Sequence, residues 1–410
     1  MWVVVRVCAV LALLNLSDGM VSTLASAYVR SLGYPLSAIG LIVALYSVAS
    51  LASRLPSARL ADSQSANQWL LGACLVFTVS LALYPFARDP LALWAVRILH
   101  GLSFGAATTL NMATFLAVCT SDNRRTATAL FTASWSGGYS VGNFAAGVLA
   151  DNYGYSAVFV LAAVCPVLAM LAHPRVQPAP VSMSNTVRTQ LAPWKVLLRA
   201  DVRAVPLLAF SVYFLNSLLA TLFPLYVLAI GQTLSLAGTA RALQSLTNTV
   251  IRPISAPFMQ RVGALKLGAA GVALTALAVV LMPFSTAPVV LLALFLVVGT
   301  GRAVGIVANA TGTLDLSERG VLKRGTASAL MTAGGDAGSI IAPLLAGATA
   351  AAIAIGPAMQ VLAIAIGILG VAAVLAGNYA STIPSRPAAH ETARPGAARS
   401  PGVLGSWRKR

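Results

Sequence analysis

Residues 18–66 read DGMVSTLASAYVRSLGYPLSAIGLIVALYSVASLASRLPSARLADSQSA, and residues 216–264 read NSLLATLFPLYVLAIGQTLSLAGTARALQSLTNTVIRPISAPFMQRVGA. Laid over each other at a constant offset of 198, the stretches align without a gap and agree at 15 of 49 positions. The agreement is not merely apolar: Tyr28, Gly33, Ser37, Gly40, Ser47 and Arg54 meet Tyr226, Gly231, Ser235, Gly238, Ser245 and Arg252. A second block repeats at an offset of 200, residues 124–147 over 324–347, with identities that include Arg124, Gly138 and Gly147. Repetition at about half the chain length means two copies of one structural unit.

Composition says what that unit dissolves in. Hydrophobic residues make up 58% of the 410 and charged residues 9%, where a soluble domain carries about a quarter charged. The solvent for such a chain is the lipid bilayer. The formal charge of +17 does not indicate nucleic acid, because the basic residues are scattered between apolar segments and form no interleaved basic–aromatic surface. Cys8, Cys74, Cys119 and Cys165 each stand alone in an apolar segment, so they read as small packing residues, with no metal site expected. No phosphate-binding Gly-x-x-x-x-Gly-Lys-Ser/Thr loop and no Ser/His/Asp set at membrane depth indicate an enzyme, and no cofactor is expected.

Twelve apolar segments reach spanning length, near residues 3–29, 37–60, 69–86, 91–119, 125–150, 156–171, 205–230, 236–259, 264–282, 289–314, 325–351 and 356–379. Their continuity indicates helices, since barrel strands alternate and run about ten residues. The first run continues past Asp18 to about Val29 and has a copy inside the chain, so it reads as an uncleaved helix rather than a signal peptide. Of the 27 basic residues, 22 fall on one side of these spans, and only Arg30 and Arg88 fall in the opposite loops. By the positive-inside rule both termini are expected in the cytoplasm. The expected organisation is a six-helix bundle over 1–172, a cytoplasmic linker over 173–203, a second bundle over 204–379 and a basic, disordered tail over 380–410.

Two six-helix halves in one orientation, joined by a cytoplasmic loop, resemble the major facilitator superfamily, and the resemblance covers residues 1–379. The family's Gly-x-Leu-Ala-Asp-Arg-x-Gly-Arg-Arg loop stands here as Ala58-Arg59-Leu60-Ala61-Asp62-Ser63-Gln64-Ser65-Ala66-Asn67, which keeps the Asp and loses the glycines and the basic run. Arg97-Ile98-Leu99-His100-Gly101 is similar to the family's Arg-x-x-Gln-Gly signature with His for Gln. Gly138 to Gly147 resembles the Gly-x-x-x-Gly-Pro-x-x-Gly-Gly signature of the drug/proton antiporter branch, with Asn143 for Pro; the repeat copy has Pro343 there. The resemblance implies an all-α membrane protein of twelve transmembrane helices in two pseudo-symmetric halves. It implies an inner gate in which Asp62 docks near the start of helix 11, beside Arg124, Lys323 and Arg324, where the helix dipole favours an anion. Gly138, Gly142 and Gly147 imply close helix packing. Helices 1, 4, 7 and 10 would line the cavity, making Asn15, His100, Asn111, Asn216 and Asn309 substrate-side candidates. His100 reads equally as a proton carrier or as a hydrogen-bonded structural residue.

The repeat accounts for the scaffold, so residues that break it need another reason. Asp18, Arg97, Arg241, Arg302 and Asp336 align with Asn216, Val297, Val43, Leu102 and Ser136. A charge at mid-bilayer costs at least about 2.5 kcal/mol on insertion scales and is a functional candidate by default. Arg302 and Asp336 sit at similar depth on consecutive helices and are expected to pair, holding the cavity's electrostatics or touching the substrate. Arg97 lies about 7 Å above Asp18, which leaves Asp18 without a cation at its own level. Asp18 is therefore read as the residue that loads and releases the coupling proton. The expected function is proton-coupled efflux of a small organic molecule by a monomeric antiporter of the bacterial inner membrane. An importer or uniporter on the same fold, or a non-transporting scaffold or sensor, is the alternative.

Overall fold

A computed structural model describes residues 1–120, 122–174, 199–322 and 324–382. Its long elements are all helices: α1 (Trp2–Ser31), α2 (Leu36–Ala61), α3 (Ala66–Leu83) and α4 (Pro90–Val118). A run over Arg124–Ala172 is broken at Gly154, giving α5 (124–153) and α6 (155–172). The second half holds α7 (Ala200–Ala229), α8 (Leu234–Val262), α9 (Ala264–Leu281), α10 (Pro288–Glu318), α11 (Arg324–Ile353) and α12 (Ile355–Thr382). Ten of the eleven continuous runs are long and apolar enough to cross a membrane. The exception is α8, on which Arg241, Gln244, Asn248 and Arg252 recur every three or four residues and line one face. Most of the expected linker and tail, 175–198 and 383–410, lies outside the described residues.

The sequence repeat is also a repeat of contacts. Tyr28 on α1 donates to the carbonyl of Tyr84 at 2.7 Å, and its partner Tyr226 on α7 donates to the carbonyl of Met282 at 3.3 Å. Both carbonyls belong to short 3-10 turns, Tyr84–Phe86 and Met282–Phe284, each with a proline in the middle. Gly154 takes φ 78° between α5 and α6, and its partner Ala354 takes φ 73° between α11 and α12. A left-handed alanine is disfavoured by about 1–2 kcal/mol. Ala354→Gly is therefore expected to raise stability by up to about 1 kcal/mol, after the added freedom of the unfolded glycine is subtracted; a thermal melt of the purified protein checks it.

One apolar core joins both halves, from Leu14 and Leu24 on α1 to Leu218 and Leu222 on α7. Towards the face that carries the start of α1 and the end of α12, the core divides. Val4, Val7, Cys8, Phe115 and Phe131 cluster within the first half, and Val202, Val205, Leu316 and Ala327 within the second. At the far face the halves meet backbone to backbone. A side chain at Gly40 on α2 would strike the Pro343 carbonyl and Gly347 on α11, and one at Gly238 on α8 would strike the Asn143 carbonyl and Gly147 on α5. These are the same contact made twice, since 40 repeats as 238, 143 as 343 and 147 as 347. Asp151 adds a latch to one seam: its carboxylate accepts from the backbone of Leu234 (3.0 Å) and Ser235 (2.7 Å) and from the Ser235 hydroxyl, capping α8 from the opposite half. The molecule is thus sealed at the far face and divided at the terminal face.

At the terminal face the end of α6 is tied down by Arg6, whose guanidinium donates to the carbonyls of Ala172 (2.9 Å) and His173 (3.2 Å). His173 is buried, with Nε2 2.9 Å from Asn67 Oδ1. Burial, and secondarily the Arg6 charge, push its imidazole down to about 4. A base with a folded value below its unfolded one, about 6.5, contributes no penalty above pH 6.5 and destabilises the fold as pH falls from there towards 4. About 2 kcal/mol of stability is expected to be lost by pH 5. Melting curves at pH 7 and pH 5 should show the loss, and His173→Asn should remove it.

Candidate functional site

Asp18 sits at mid-helix in α1 and is 2% exposed. Its burial is offset by four donors. Oδ1 accepts from Tyr46 (2.8 Å), Ser22 (3.0 Å) and His100 Nε2 (3.1 Å), and Oδ2 accepts from Tyr139 (2.8 Å). Hydrogen bonds to a charged group contribute about 1.5–3 kcal/mol each, enough together to hold a carboxylate at this depth. Local packing brings the donors in. Gly101 lets α4 lie against the Tyr46 backbone of α2, which sets the Tyr46 and His100 rings edge to face at 4.9 Å.

Behind His100 the chain continues. Its Nδ1 is 3.0 Å from the Tyr84 hydroxyl, and Arg97 Nη1 donates to that hydroxyl at 3.1 Å. With Nε2 protonated towards Asp18, Nδ1 accepts from Tyr84, whose oxygen accepts from Arg97. Every hydrogen from Arg97 through Tyr84 and His100 then points towards the carboxylate. The Arg97 guanidinium also lies 4.8 Å from the Tyr46 ring centroid. The set is a polar network within the first half, open at Arg97 Nε, which is buried without a partner among the described residues, and Tyr139 is its member in the field of the second half's arginines.

The second half answers with cations. Arg241 Nη1 donates to Gln244 Oε1 (2.6 Å) and Asn216 Oδ1 (3.2 Å), and Gln244 Nε2 donates to the same Asn216 oxygen at 3.1 Å. Asn216 and Gln244 are the repeat partners of Asp18 and Tyr46. Both halves therefore make one α1–α2-type contact, as a carboxylate and phenol on one side and as two amides on the other. Arg302 on α10 makes no hydrogen bond among the described residues, and its Nε is buried without a partner, as are those of Arg241 and Arg252.

The Major Facilitator Superfamily model matches residues 7–316 and, in a second overlapping match, 205–409. The chain belongs to the major facilitator superfamily. It is a multi-pass membrane protein and a secondary transporter. No curated protein matches it in sequence. Among solved structures, this facilitator is similar to a bacterial homologue of the human lysosomal transporter Spinster, in an inward-facing and occupied conformation. The TM-score is 0.76 at 14% identity, over 93% of this chain and 96% of that one. The unoccupied inward-facing form of that homologue gives 0.73 at 12% identity over the same shares. At these identities the likeness is one of fold.

Several expected site residues converge and others do not. Asp18, His100 and Arg97 come together, the last through Tyr84, so Asp18 is not isolated as its depth along α1 implied. Asp336 does not pair with Arg302. It meets Arg54 of α2 at 3.2 Å, across the seam between halves. Arg241 turns in to Asn216. Asn15, Asn111 and Asn309 are buried; Asn111 donates weakly to the Val7 carbonyl (3.4 Å), and neither Asn15 nor Asn309 gives its side-chain oxygen a partner. Gly138 and Gly142 pack α5 on α1 at Ala12 and Leu16, and Gly147 packs it on α8. Asp62 and Arg124 are exposed at the terminal face, and Asp62 forms no ion pair among the described residues. Lys323 and the Arg324 side chain lie outside the described residues. Sequence reading missed Tyr46, Tyr84, Arg54 and Asp151. The alignment of Tyr46 with Gln244, two polar residues in matched apolar helices, was the available signal for the first.

Proposed function

We propose that this facilitator is a proton-coupled exporter of a small organic molecule, with Asp18 as the proton site and His100 holding its Oδ1 in place. The carrying observation is a buried carboxylate held by first-half donors and open to change at one oxygen, whose partner Tyr139 lies in the field of the second half's arginines. Oδ1 has three donors, whereas Oδ2 has one. A proton on Oδ2 reverses a single hydrogen bond: the carboxyl donates to Tyr139, and the Tyr139 hydrogen turns towards the second half. Proton loading is thereby linked to contact between the halves, which alternating access requires. The protein works as a monomer in a bacterial inner membrane with both termini in the cytoplasm, so the divided face is the cytoplasmic one.

Everted vesicles test the direction and the coupling. An inside-acid gradient should drive uptake of the transported compound, and collapse of the gradient should abolish it; gradient-independent equilibration would favour the uniporter alternative. In the reciprocal state, sealed at the cytoplasmic face, Asp62 docks at the start of α11. Asp62→Asn is expected to lower turnover severalfold while leaving substrate affinity within about twofold, because a loop pair at the surface is far from the midplane and contributes about 0–1 kcal/mol. Transport rate against equilibrium binding separates the two effects.

A further inference from the structure

The second half carries cations with no anions to match. Arg241, Arg302 and Arg252 face the Tyr139–Tyr213 region, and electrostatic coupling links Arg302 to Arg252 and to Arg241. None has a carboxylate within 4.0 Å among the described residues. Asp336, the mid-helix acid of this half, is taken by Arg54 across the seam. Asp18 is taken by four donors that belong to the first half. Arg241 is braced by two amide oxygens, whereas Arg302 is partly buried and makes no hydrogen bond among the described residues. Structural arginines at membrane depth pair with acids or backbone carbonyls; among the described residues Arg302 has neither, and Arg241 has only the two side-chain amide oxygens. Like charges left uncompensated between packed helices repel each other, and an anion placed between them would turn that repulsion into attraction.

We infer that Arg241 and Arg302, with Asn216 and Gln244 behind them, form the binding site for the acidic group of the substrate, a carboxylate or a phosphate. The inference rests on the transporter reading above and gives its substrate a chemical class. Arg302 is the free fork and Arg241 the one oriented by Asn216 and Gln244, and each lies within the electrostatic field of the other, so an anion near them is attracted by both. Tyr139 donates to Asp18 and lies within the field of both arginines, so one phenol senses both the proton site and the anion site.

Four probes that share a benzene ring and differ in charge test it: benzoate, phenyl phosphate, benzylamine and benzyl alcohol. Each is titrated into the purified full-length protein at pH 7, and the melting temperature is read. One or both acids should raise it by several degrees, and the amine and alcohol should not; the acid with the larger shift assigns carboxylate or phosphate. Arg302→Gln and Arg241→Gln should weaken that response at least about tenfold, the loss of one charge-assisted hydrogen bond. Arg88→Gln, at an exposed loop, should keep it. Arg302→Gln should fold, because it removes no hydrogen bond, and its basal melting temperature should not fall. A response to neither acid, an equal response to benzylamine, or an undiminished acid response in both arginine variants overturns the inference. The readout is binding without a gradient. A facilitator that transports without protons would therefore still pass, and a proton-coupled transporter of cations would fail.

Discussion

Asp18→Asn is expected to reduce proton-driven accumulation to background while leaving downhill exchange of the same compound intact. The asparagine oxygen can still accept from Tyr46, Ser22 and His100, the three donors now on Oδ1. Its amide nitrogen replaces Oδ2, and the Tyr139 hydroxyl, which rotates freely, can accept from it instead of donating. The three donors on Oδ1 keep their acceptor and the Tyr139 hydrogen is released, so the cost to the fold is about that of one hydrogen bond to a charged group, about 1.5–3 kcal/mol, and the main loss falls on coupling. The variant resembles a permanently protonated site. Counterflow in vesicles with and without a pH gradient checks it. If Asp18→Asn keeps full gradient-driven accumulation, the proton site lies elsewhere, and His100 or Asp336 becomes the candidate.

Gly40→Leu is expected to remove the far-face seal. A Cβ at this position overlaps the Pro343 carbonyl and comes within 3.0 Å of the Gly347 Cα. Both obstacles are backbone, so no rotamer change relieves the overlap. Overpacking of this kind costs about 1–3 kcal/mol, which shifts a two-state equilibrium by about fivefold to a hundredfold away from the sealed form. Transport should fall accordingly. Spin labels at positions 37 and 351, on the far ends of α2 and α11, should report a longer distance than in the parent. Gly238→Leu, the repeat-related change on the other seam, should do the same, because it meets the Asn143 carbonyl and Gly147.

The fold and the seams were legible because they rest on matched positions. Gly40 and Gly238, Gly147 and Gly347, and Tyr28 and Tyr226 agree between the halves, and each pair makes equivalent contacts. The pairing of Asp336 was not legible. Counting 1.5 Å per residue gives the depth of a side chain but not its azimuth, and each residue turns a helix by about 100°. Arg302 and Asp336 share a depth, yet Arg302 lies within the field of Arg241 and Arg252, and Asp336 faces the α2 seam and Arg54. Tyr46 and Tyr84 escaped for a different reason. A phenol in an apolar helix looks like packing until the carboxylate or imidazole it bonds to is located, and Tyr84 reaches His100 only because the Tyr84–Phe86 turn holds it beside α4. Asp151 reads as an ordinary loop acid until the start of α8, from the other half, is set beside it.

Alternating access coupled at Asp18 is tested most directly by two distances followed across pH. One label pair reports the far ends of α2 and α11, and a second reports the terminal-face ends of α5 and α8, in a chain whose four cysteines are replaced. Between pH 8 and pH 5 the populations should shift reciprocally, one face narrowing as the other widens, and the shift should vanish in Asp18→Asn. A single, pH-independent distance at each face, or two faces that open together, would contradict the mechanism.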